Sequence, residues 1–222
     1  MFRYLISSLF LIIVVMSCGQ TPDRTPAAVT KPEPPPGPDP RPVILAFGDS
    51  LTAGHGVGQA ESYPSKLQKE LDLRGFKYRV INSGVSGDTT SGGLSRIDAA
   101  LNFQPKVVIL ELGGNDGLRG TPLREVRQNL AAMIEKCQSA GATVLLAGMT
   151  LPLNLGPDYI RDFESLFTGL AKEYKTQLIP FFLEGVAAQA DLNLDDGIHP
   201  TGGGYAIIAR TVMRHLEPLL TR

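Results

Sequence analysis

Residues 43–54 read VILAFGDSLTAG, an apolar run that ends in a small, polar, glycine-containing turn. A continuous apolar run predicts a strand buried on both faces, and such strands belong to parallel sheets covered by helices. Ser50 falls just beyond the end of this strand. In open parallel sheets ligands bind at the carboxyl ends of the strands, so Ser50 is a candidate nucleophile.

The rest of the chain continues the alternation of strands and helices. Leu67, Leu71 and Leu73 are the expected apolar positions of the first helix. The predicted fold class is α/β, a three-layer α/β/α sandwich around a five-stranded parallel, doubly wound sheet. The predicted strands are 43–47, 78–81, 106–112, 143–147 and 177–181, and the predicted helices are 61–74, 91–103, 122–139, 159–174 and 201–216.

The N-terminus has the pattern of an export signal. A basic start, Met1–Arg3, precedes the apolar stretch Tyr4–Met16, which is shorter than the about 20 residues that a spanning helix needs. Because small Ser17 precedes Cys18, residues 1–17 are predicted to be a lipoprotein signal peptide and Cys18 the lipidated residue. An ordinary secretory signal with a chance cysteine is the alternative.

Residues 18–42 carry the expected lipidated cysteine and a proline-rich linker, which ends in TPDRTPAAVTKPEPPPGPDPRP. Such a stretch is a semi-extended spacer of up to ~3.1 Å per residue, or a leader without a mechanical role. The folded domain is therefore expected to be 43–222. The protein is expected to be exported and anchored by lipid to a bacterial membrane, facing the periplasm. The outer membrane is favoured because Gly19, not aspartate, follows Cys18.

Composition excludes some partners. Lys and Arg number 21 and Asp and Glu 22, without a long basic run, so the sequence carries no nucleic-acid footprint. With Cys18 lipidated, Cys137 has no cysteine partner for a disulfide or a zinc site. No metal or cofactor is expected, and a monomer is the expected state.

A serine nucleophile needs a base, a group that orients the base, and donors for the oxyanion. Asp196, Gly197 and His199 lie together in LDDGIHP, so one loop could deliver a carboxylate and an imidazole; a helix-capping turn is the alternative. His55, in the turn after Ser50, has no evident orienting carboxylate. His215 lies near the end of the last predicted helix, a favourable place for a surface cation.

Four blocks together carry a family resemblance: GDSLTAG (48–54), SGDTT (86–90), ELGGND (111–116) and DGIHP (196–200). They resemble the signature blocks of the SGNH hydrolases, the GDSL lipase/esterase family, and most closely its bacterial thioesterase I/lysophospholipase/arylesterase branch. The resemblance implies a flavodoxin-like SGNH fold, a Ser50–His199–Asp196 triad, and an oxyanion hole of Ser50, Gly87 and Asn115. Gly84 and Asp195 are the neighbouring alternatives to Gly87 and Asp196.

The resemblance implies a serine esterase that acts on small-molecule carboxylic esters, and on acyl thioesters or lysophospholipids as further substrates. Residues 149–157, with Leu151 and Pro152 at their centre, are apolar enough to line an acyl groove or to be buried loop. A carbohydrate O-acetylesterase is a second enzymatic possibility. A surface-anchored lipoprotein that binds without catalysis is the alternative from another class.

Overall fold

The structure is a computed structural model that describes residues 39–221. The predicted signal peptide, Cys18 and the linker as far as residue 38 lie outside these residues. Within the described part of the chain, no helix has both the length and the apolar character needed to cross a membrane.

Five parallel strands form one sheet in the order β2-β1-β3-β4-β5. They are β1 (Val43–Gly48), β2 (Arg79–Gly84), β3 (Val107–Glu111), β4 (Thr143–Ala147) and β5 (Gln177–Ile179). This is the doubly wound, flavodoxin-like order, and the predicted fold class is confirmed. Gly48, the last residue of β1, is level with Gly84 of β2 and Glu111 of β3. The loops that follow these three strands therefore leave the sheet side by side.

Helices cover both faces of the sheet. They are α1 (Ser50–Ala53), α2 (Tyr63–Leu73), α3 (Thr90–Leu101), α4 (Gly114–Arg119), α5 (Leu123–Ser139), α6 (Pro157–Tyr174) and α7 (Gly202–Leu216). The α2 and α7 helices pack against each other in one layer, and α5 packs against both α3 and α6 in the other. Every residue of β1 and β3 is buried between these layers, which explains their continuous apolar sequences.

The structure corrects some element boundaries. The fifth strand ends at Ile179 rather than at residue 181, because Pro180 has no N–H to continue the ladder. The sixth helix begins at Pro157, earlier than predicted, since proline fits the first turn of a helix. The α1 and α4 helices were not predicted, as they are too short to show helical periodicity.

Leu73 corrects the predicted apolar face of α2. Leu67 and Leu71 are fully buried, whereas Leu73 is 83% exposed. At about 100° per residue, Leu73 points far from the direction shared by the other two leucines. Leu73 therefore does not belong to the buried face of α2, contrary to the prediction.

The first described residues already contact the domain. The Arg41 guanidinium donates a 3.2 Å hydrogen bond to the Tyr78 carbonyl, and Arg79 N donates to the Pro42 carbonyl at 3.0 Å. The compact unit begins at Pro40, so the last residues of the predicted linker adjoin β1 and β2.

Candidate active site

Ser50 and His199, which are 149 positions apart in the chain, are within hydrogen-bond distance. His199 Nε2 lies 2.9 Å from Ser50 Oγ, and His199 Nδ1 lies 2.6 Å from Asp196 Oδ2. Ser50 is the first residue of α1, and His199 lies in the loop before α7. The structure thus brings the three predicted triad residues into one Asp–His–Ser hydrogen-bonded chain.

The loop that carries Asp196 is organised by its own carboxylate. Asp196 Oδ1 accepts hydrogen bonds from the backbone N–H groups of Ile198 and His199, at 2.8 and 2.9 Å. These bonds and the one to the His199 ring lower the pKa of Asp196 to about 2. Gly197, with φ of +69°, permits the sharp bend. Asp196 therefore stays ionised at neutral pH and holds the ring with Nε2 toward Ser50.

The loop that carries Asp196 does more than cap the helix that follows it. Thr201, not an aspartate, is the N-cap of α7, and its side chain accepts from Gly204 N. The loop is therefore not simply a helix-capping turn. The carboxylate that contacts the His199 ring is that of Asp196 rather than of neighbouring Asp195.

Gly87 and Gly84 differ in their surroundings. Gly87 has φ of +82° in the turn between β2 and α3, a conformation that favours glycine. Its carbonyl accepts from Arg119 Nη2 at 3.1 Å, which ties the turn to the end of α4. The Gly84 N–H is engaged with Asn82 Oδ1 at 3.0 Å, and a Cβ at Gly84 would collide with the backbone of Ala53. Gly84 therefore serves close packing, and Gly87 remains the candidate donor.

Asn115 lies at the beginning of α4 and is already bonded within the protein. Its Nδ2 donates to Asp49 Oδ2 at 3.0 Å and to the Asp88 carbonyl at 2.9 Å. These bonds fix the orientation of the side-chain amide beside the triad. An oxyanion would have to share or take one of the two hydrogens.

Asp49 connects the serine turn to Asn115. It is only 2% exposed, and its Oδ1 accepts from Leu51 N at 3.0 Å, which caps α1. Burial raises the pKa of Asp49 to about 6, partly offset by its hydrogen bonds to Leu51 and Asn115 and by the nearby charge of His199. Sequence reasoning did not single out this residue. The signal that could have found it was its position between the end of a strand and the first residue of a helix, where aspartate often caps the helix.

Glu111 lies fully buried at the end of β3, beneath the serine turn. Its Oε2 accepts from the Thr52 hydroxyl at 2.7 Å and from Asp49 N at 3.4 Å. Burial raises the pKa of Glu111 well above its usual value, and the charge of Asp49 raises it further. A Cβ at Gly48 would collide with both Glu111 and Thr52, which explains the glycine that precedes Asp49.

A cavity of about 530 Å³ opens beside the triad, a size typical of small-molecule sites. Its lining includes Ser50, Asn115 and His199, together with the apolar side chains of Leu118, Met149, Leu151, Pro152, Phe181 and Leu183. Leu151 is also part of the buried core, since it is 5% exposed and packs against Gly117. Leu151 therefore belongs to the core and, with Pro152, to the wall of this cavity, and the acyl groove stays a prediction.

Three leucine or isoleucine side chains among the cavity-lining residues are exposed to solvent. Leu118, Leu153 and Ile198 are 43%, 90% and 47% exposed. We call these three residues the apolar rim. They come from three different segments, one after each of β3, β4 and β5, so the rim is assembled only in the folded protein.

His55 lies against the catalytic imidazole candidate. The ring centroids of His55 and His199 are 4.5 Å apart, with a tilt of 45° between the rings. In residues 39–221 no cluster of three or more His, Cys, Asp or Glu residues is arranged to hold a metal ion.

The model of the GDSL-like lipase/acylhydrolase family matches residues 46–207. The chain belongs to this family. Esterase TesA of Pseudomonas aeruginosa is 44% identical over 178 residues, which cover 80% of this chain and 89% of that protein. Thioesterase 1/protease 1/lysophospholipase L1 of Escherichia coli is 38% identical over 178 residues, which cover 80% of this chain and 84% of that protein.

Solved structures agree with the family membership. The crystal structure of TesA is similar to this one with a TM-score of 0.78 and 44% sequence identity, covering 80% of this chain and 99% of that chain. The predicted SGNH fold and the predicted family branch are confirmed. The chain is a serine ester hydrolase of the GDSL family, as the sequence blocks predicted.

In this GDSL-family chain, the structure brings together Ser50, Asp196 and His199 directly, and links Asn115 to the serine turn through Asp49. Asp49 and Glu111 are the residues at the site that sequence reasoning missed. Both are acidic residues next to strand ends, where they resemble ordinary turn or capping residues.

Proposed function

We propose that the protein is a serine esterase that transfers the acyl group of carboxylic esters to water through an acyl-enzyme on Ser50. The observation that carries this proposal is the Asp196–His199–Ser50 chain beside an apolar cavity. The family membership fixes the ester-hydrolase class, and the local geometry supports the roles proposed for individual residues.

The reaction begins when His199 Nε2 accepts the Ser50 proton as Oγ attacks the carbonyl carbon. The resulting oxyanion accepts hydrogen bonds from the N–H groups of Ser50 and Gly87 and from Asn115 Nδ2. His199 then gives its proton to the leaving alcohol or thiol, which leaves an acyl group on Ser50. Water, deprotonated by His199, attacks this ester, and His199 gives the proton to Ser50 Oγ as the acid leaves. Asp196 stays ionised and stabilises the imidazolium in both halves.

The cavity favours substrates with an aliphatic or aromatic acyl group. Its walls are mainly apolar, and the apolar rim extends this surface outward. Aryl and acyl esters are therefore the proposed substrates, with acyl thioesters and lysophospholipids as further members of the class. The name of the Escherichia coli relative includes both thioesterase and lysophospholipase.

A chain-length series of p-nitrophenyl esters, from acetyl to dodecanoyl, tests the proposal, with a lysophospholipid and an acyl thioester measured alongside. We expect turnover that extends beyond acetyl and is abolished in Ser50→Ala. Ser165→Ala, at an exposed position of α6, is the matched control and should remain active. Activity confined to acetyl groups would favour the carbohydrate O-acetylesterase. Equal turnover in Ser50→Ala and the wild type would contradict the proposed nucleophile.

The export, the lipid anchor on Cys18 and the periplasm-facing location are proposed from the sequence of the N-terminus alone. The monomeric state is a separate proposal. Incorporation of a labelled fatty acid into the wild type but not into Cys18→Ser would support lipidation. Cys137→Ser is the matched control, because Cys137 is buried. Equal labelling of wild type and Cys18→Ser would contradict it.

A further inference from the structure

Arg96 of α3 makes hydrogen bonds to three separate segments at the active-site end of the sheet. Its Nε donates to Asp88 Oδ2 at 2.7 Å, its Nη1 to the Ser83 carbonyl at 2.9 Å, and its Nη2 to the Gly48 carbonyl at 2.8 Å. The guanidinium also stacks on Phe47, with Cζ 3.9 Å from the ring centroid. One side chain therefore connects the ends of β1 and β2 with the turn that precedes α3.

Two of these segments adjoin candidate oxyanion donors, and the third donor contacts one of them. Gly48 is two residues before Ser50, and Asp88 directly follows Gly87. The Asp88 carbonyl, in turn, accepts the 2.9 Å hydrogen bond from Asn115 Nδ2. The Arg96–Asp88 pair is thus connected to the segments of all three donors.

The pair is sheltered rather than freely solvated. The Arg96 and Asp88 side chains are 22% and 13% exposed, so solvent screens their attraction less than that of a surface pair. A Cβ at Gly92 would collide with the Asp88 carboxylate, which shows how closely the first turn of α3 approaches that side chain. The contacts leave the guanidinium little freedom to move.

We propose that Arg96 and Asp88 form a positioning pair that holds the backbone N–H groups of Ser50 and Gly87 and the Asn115 amide at fixed mutual distances. This role of the pair rests on the proposed function, because an oxyanion hole is needed only if attack by Ser50 forms a tetrahedral intermediate. Neither side chain touches the substrate. Displacement of a donor by about 1 Å weakens transition-state stabilisation by on the order of 10²-fold.

The geometry of the guanidinium is essential to this role. Its fork reaches acceptors on three segments from three nitrogen atoms, whereas the single nitrogen of a lysine cannot span them. Arg96→Lys therefore keeps the charge and removes the connection. Asp88→Asn keeps the shape and the backbone carbonyl that Asn115 uses, and removes the ionic bond to Arg96.

The test measures kcat, KM and the affinity for a trifluoromethyl ketone, whose hemiketal adduct with the Ser50 hydroxyl places an oxyanion in the hole. We expect Arg96→Lys and Asp88→Asn to lower kcat by about 10- to 100-fold, with KM changed by less than about threefold. The inhibition constant of the ketone should rise by a similar factor to the loss of kcat. The double variant should lose about as much as the more damaging single variant, because the two residues act as one unit.

Asp98→Asn is the matched control. Asp98 lies on the same helix and pairs with Lys136 of α5, away from the serine turn, so kcat and ketone affinity should stay unchanged. Circular dichroism and thermal unfolding give the folded fraction of every variant, and kcat is calculated per folded molecule. If Arg96→Lys does not fold, Asp88→Asn alone decides the outcome.

A lower melting temperature with wild-type kcat and wild-type ketone affinity would overturn the proposal, since the pair would then act only on stability. A rise in KM alone would overturn it as well. Failure of the proposed function has a different signature, namely turnover that survives in Ser50→Ala.

Discussion

Asn115 Nδ2 lies 3.0 Å from Asp49 Oδ2 and 2.9 Å from the Asp88 carbonyl oxygen. An amide nitrogen carries two hydrogens, so both are donated within the protein before a substrate binds. The bonds orient the amide in advance, and the oxyanion then competes with Asp49 or Asp88 for one hydrogen. The strength of these two bonds therefore affects how well the site stabilises the transition state.

Removal of the Asn115 amide should reduce turnover without unfolding the protein. We expect Asn115→Ala to lower kcat by about 10²–10³-fold, because one oxyanion donor is lost. Steady-state kinetics with a p-nitrophenyl ester measure the effect. Asn102→Ala, at the exposed C-cap of α3, is the control. An unchanged kcat in Asn115→Ala would exclude this amide as a donor.

Asp49 should make stability depend on pH in an unusual direction. Burial raises its pKa from the usual range of an aspartate to about 6, so the folded protein holds this proton more tightly than the unfolded chain. The contribution of Asp49 to the free energy of unfolding therefore falls as the pH rises from about 4 to 6. Asp49→Asn, which can still cap α1, should remove this fall in urea-unfolding measurements.

The same variant should also affect activity. A carboxamide offers Asn115 one acceptor fewer than a carboxylate, so we expect kcat of Asp49→Asn to fall by about tenfold. An identical pH slope of stability in the variant and the wild type would show that Asp49 does not titrate in this range.

Glu111 should act as a buried hydrogen-bond acceptor. Burial raises its pKa well above its usual value, so its contribution to the free energy of unfolding falls as the pH rises from the usual range of a glutamate toward this raised value. A glutamine offers the same kind of acceptor oxygen to the Thr52 hydroxyl. Glu111→Gln should therefore retain most of the stability, whereas Glu111→Ala should lose about 2–4 kcal/mol through a cavity and the loss of the 2.7 Å hydrogen bond from the Thr52 hydroxyl. Urea unfolding at neutral pH compares them. Equal losses in both variants would show that the carboxyl is needed in its ionised form.

Leu153 of the apolar rim should affect the preference for acyl length. Burial of a leucine side chain against a ligand contributes up to about 1.5–3 kcal/mol, and only a long acyl chain would reach the rim. Leu153→Ser should lower kcat/KM for dodecanoyl esters by about 3- to 10-fold and leave acetyl esters unchanged. Leu73→Ser is the matched control, since Leu73 is 83% exposed on α2. Equal losses for all chain lengths would contradict a role in acyl binding.

The sequence predicted the sheet well because its central strands are buried on both faces. Their continuous apolar runs can be recognised without knowledge of distant contacts. The loop before α7 was recognisable only because its DGIHP block occurs together with the other three blocks. The end of β5 was predicted too late, although Pro180 was visible. The short helices α1 and α4 offered no periodic pattern.

Contacts between distant segments could not be predicted from local pattern. Asp49 reads as a capping residue, and only the fold shows that its second oxygen meets Asn115, 66 positions away. In the sequence, Arg96 is an ordinary polar position of an amphipathic helix. Only the fold shows that its guanidinium donates a hydrogen bond to the Gly48 carbonyl at the end of β1. Glu111 resembles an ordinary polar residue at a strand end, and only the fold shows that its carboxyl is buried against Thr52 and Asp49.

The most direct test of the central claim is covalent labelling with a fluorophosphonate, followed by peptide mass spectrometry. The account predicts stoichiometric modification of Ser50 that parallels the loss of esterase activity, and labelling slowed by orders of magnitude in His199→Ala, which removes the base. Complete inactivation with the phosphonate on another residue, or full activity with Ser50 modified, would contradict it.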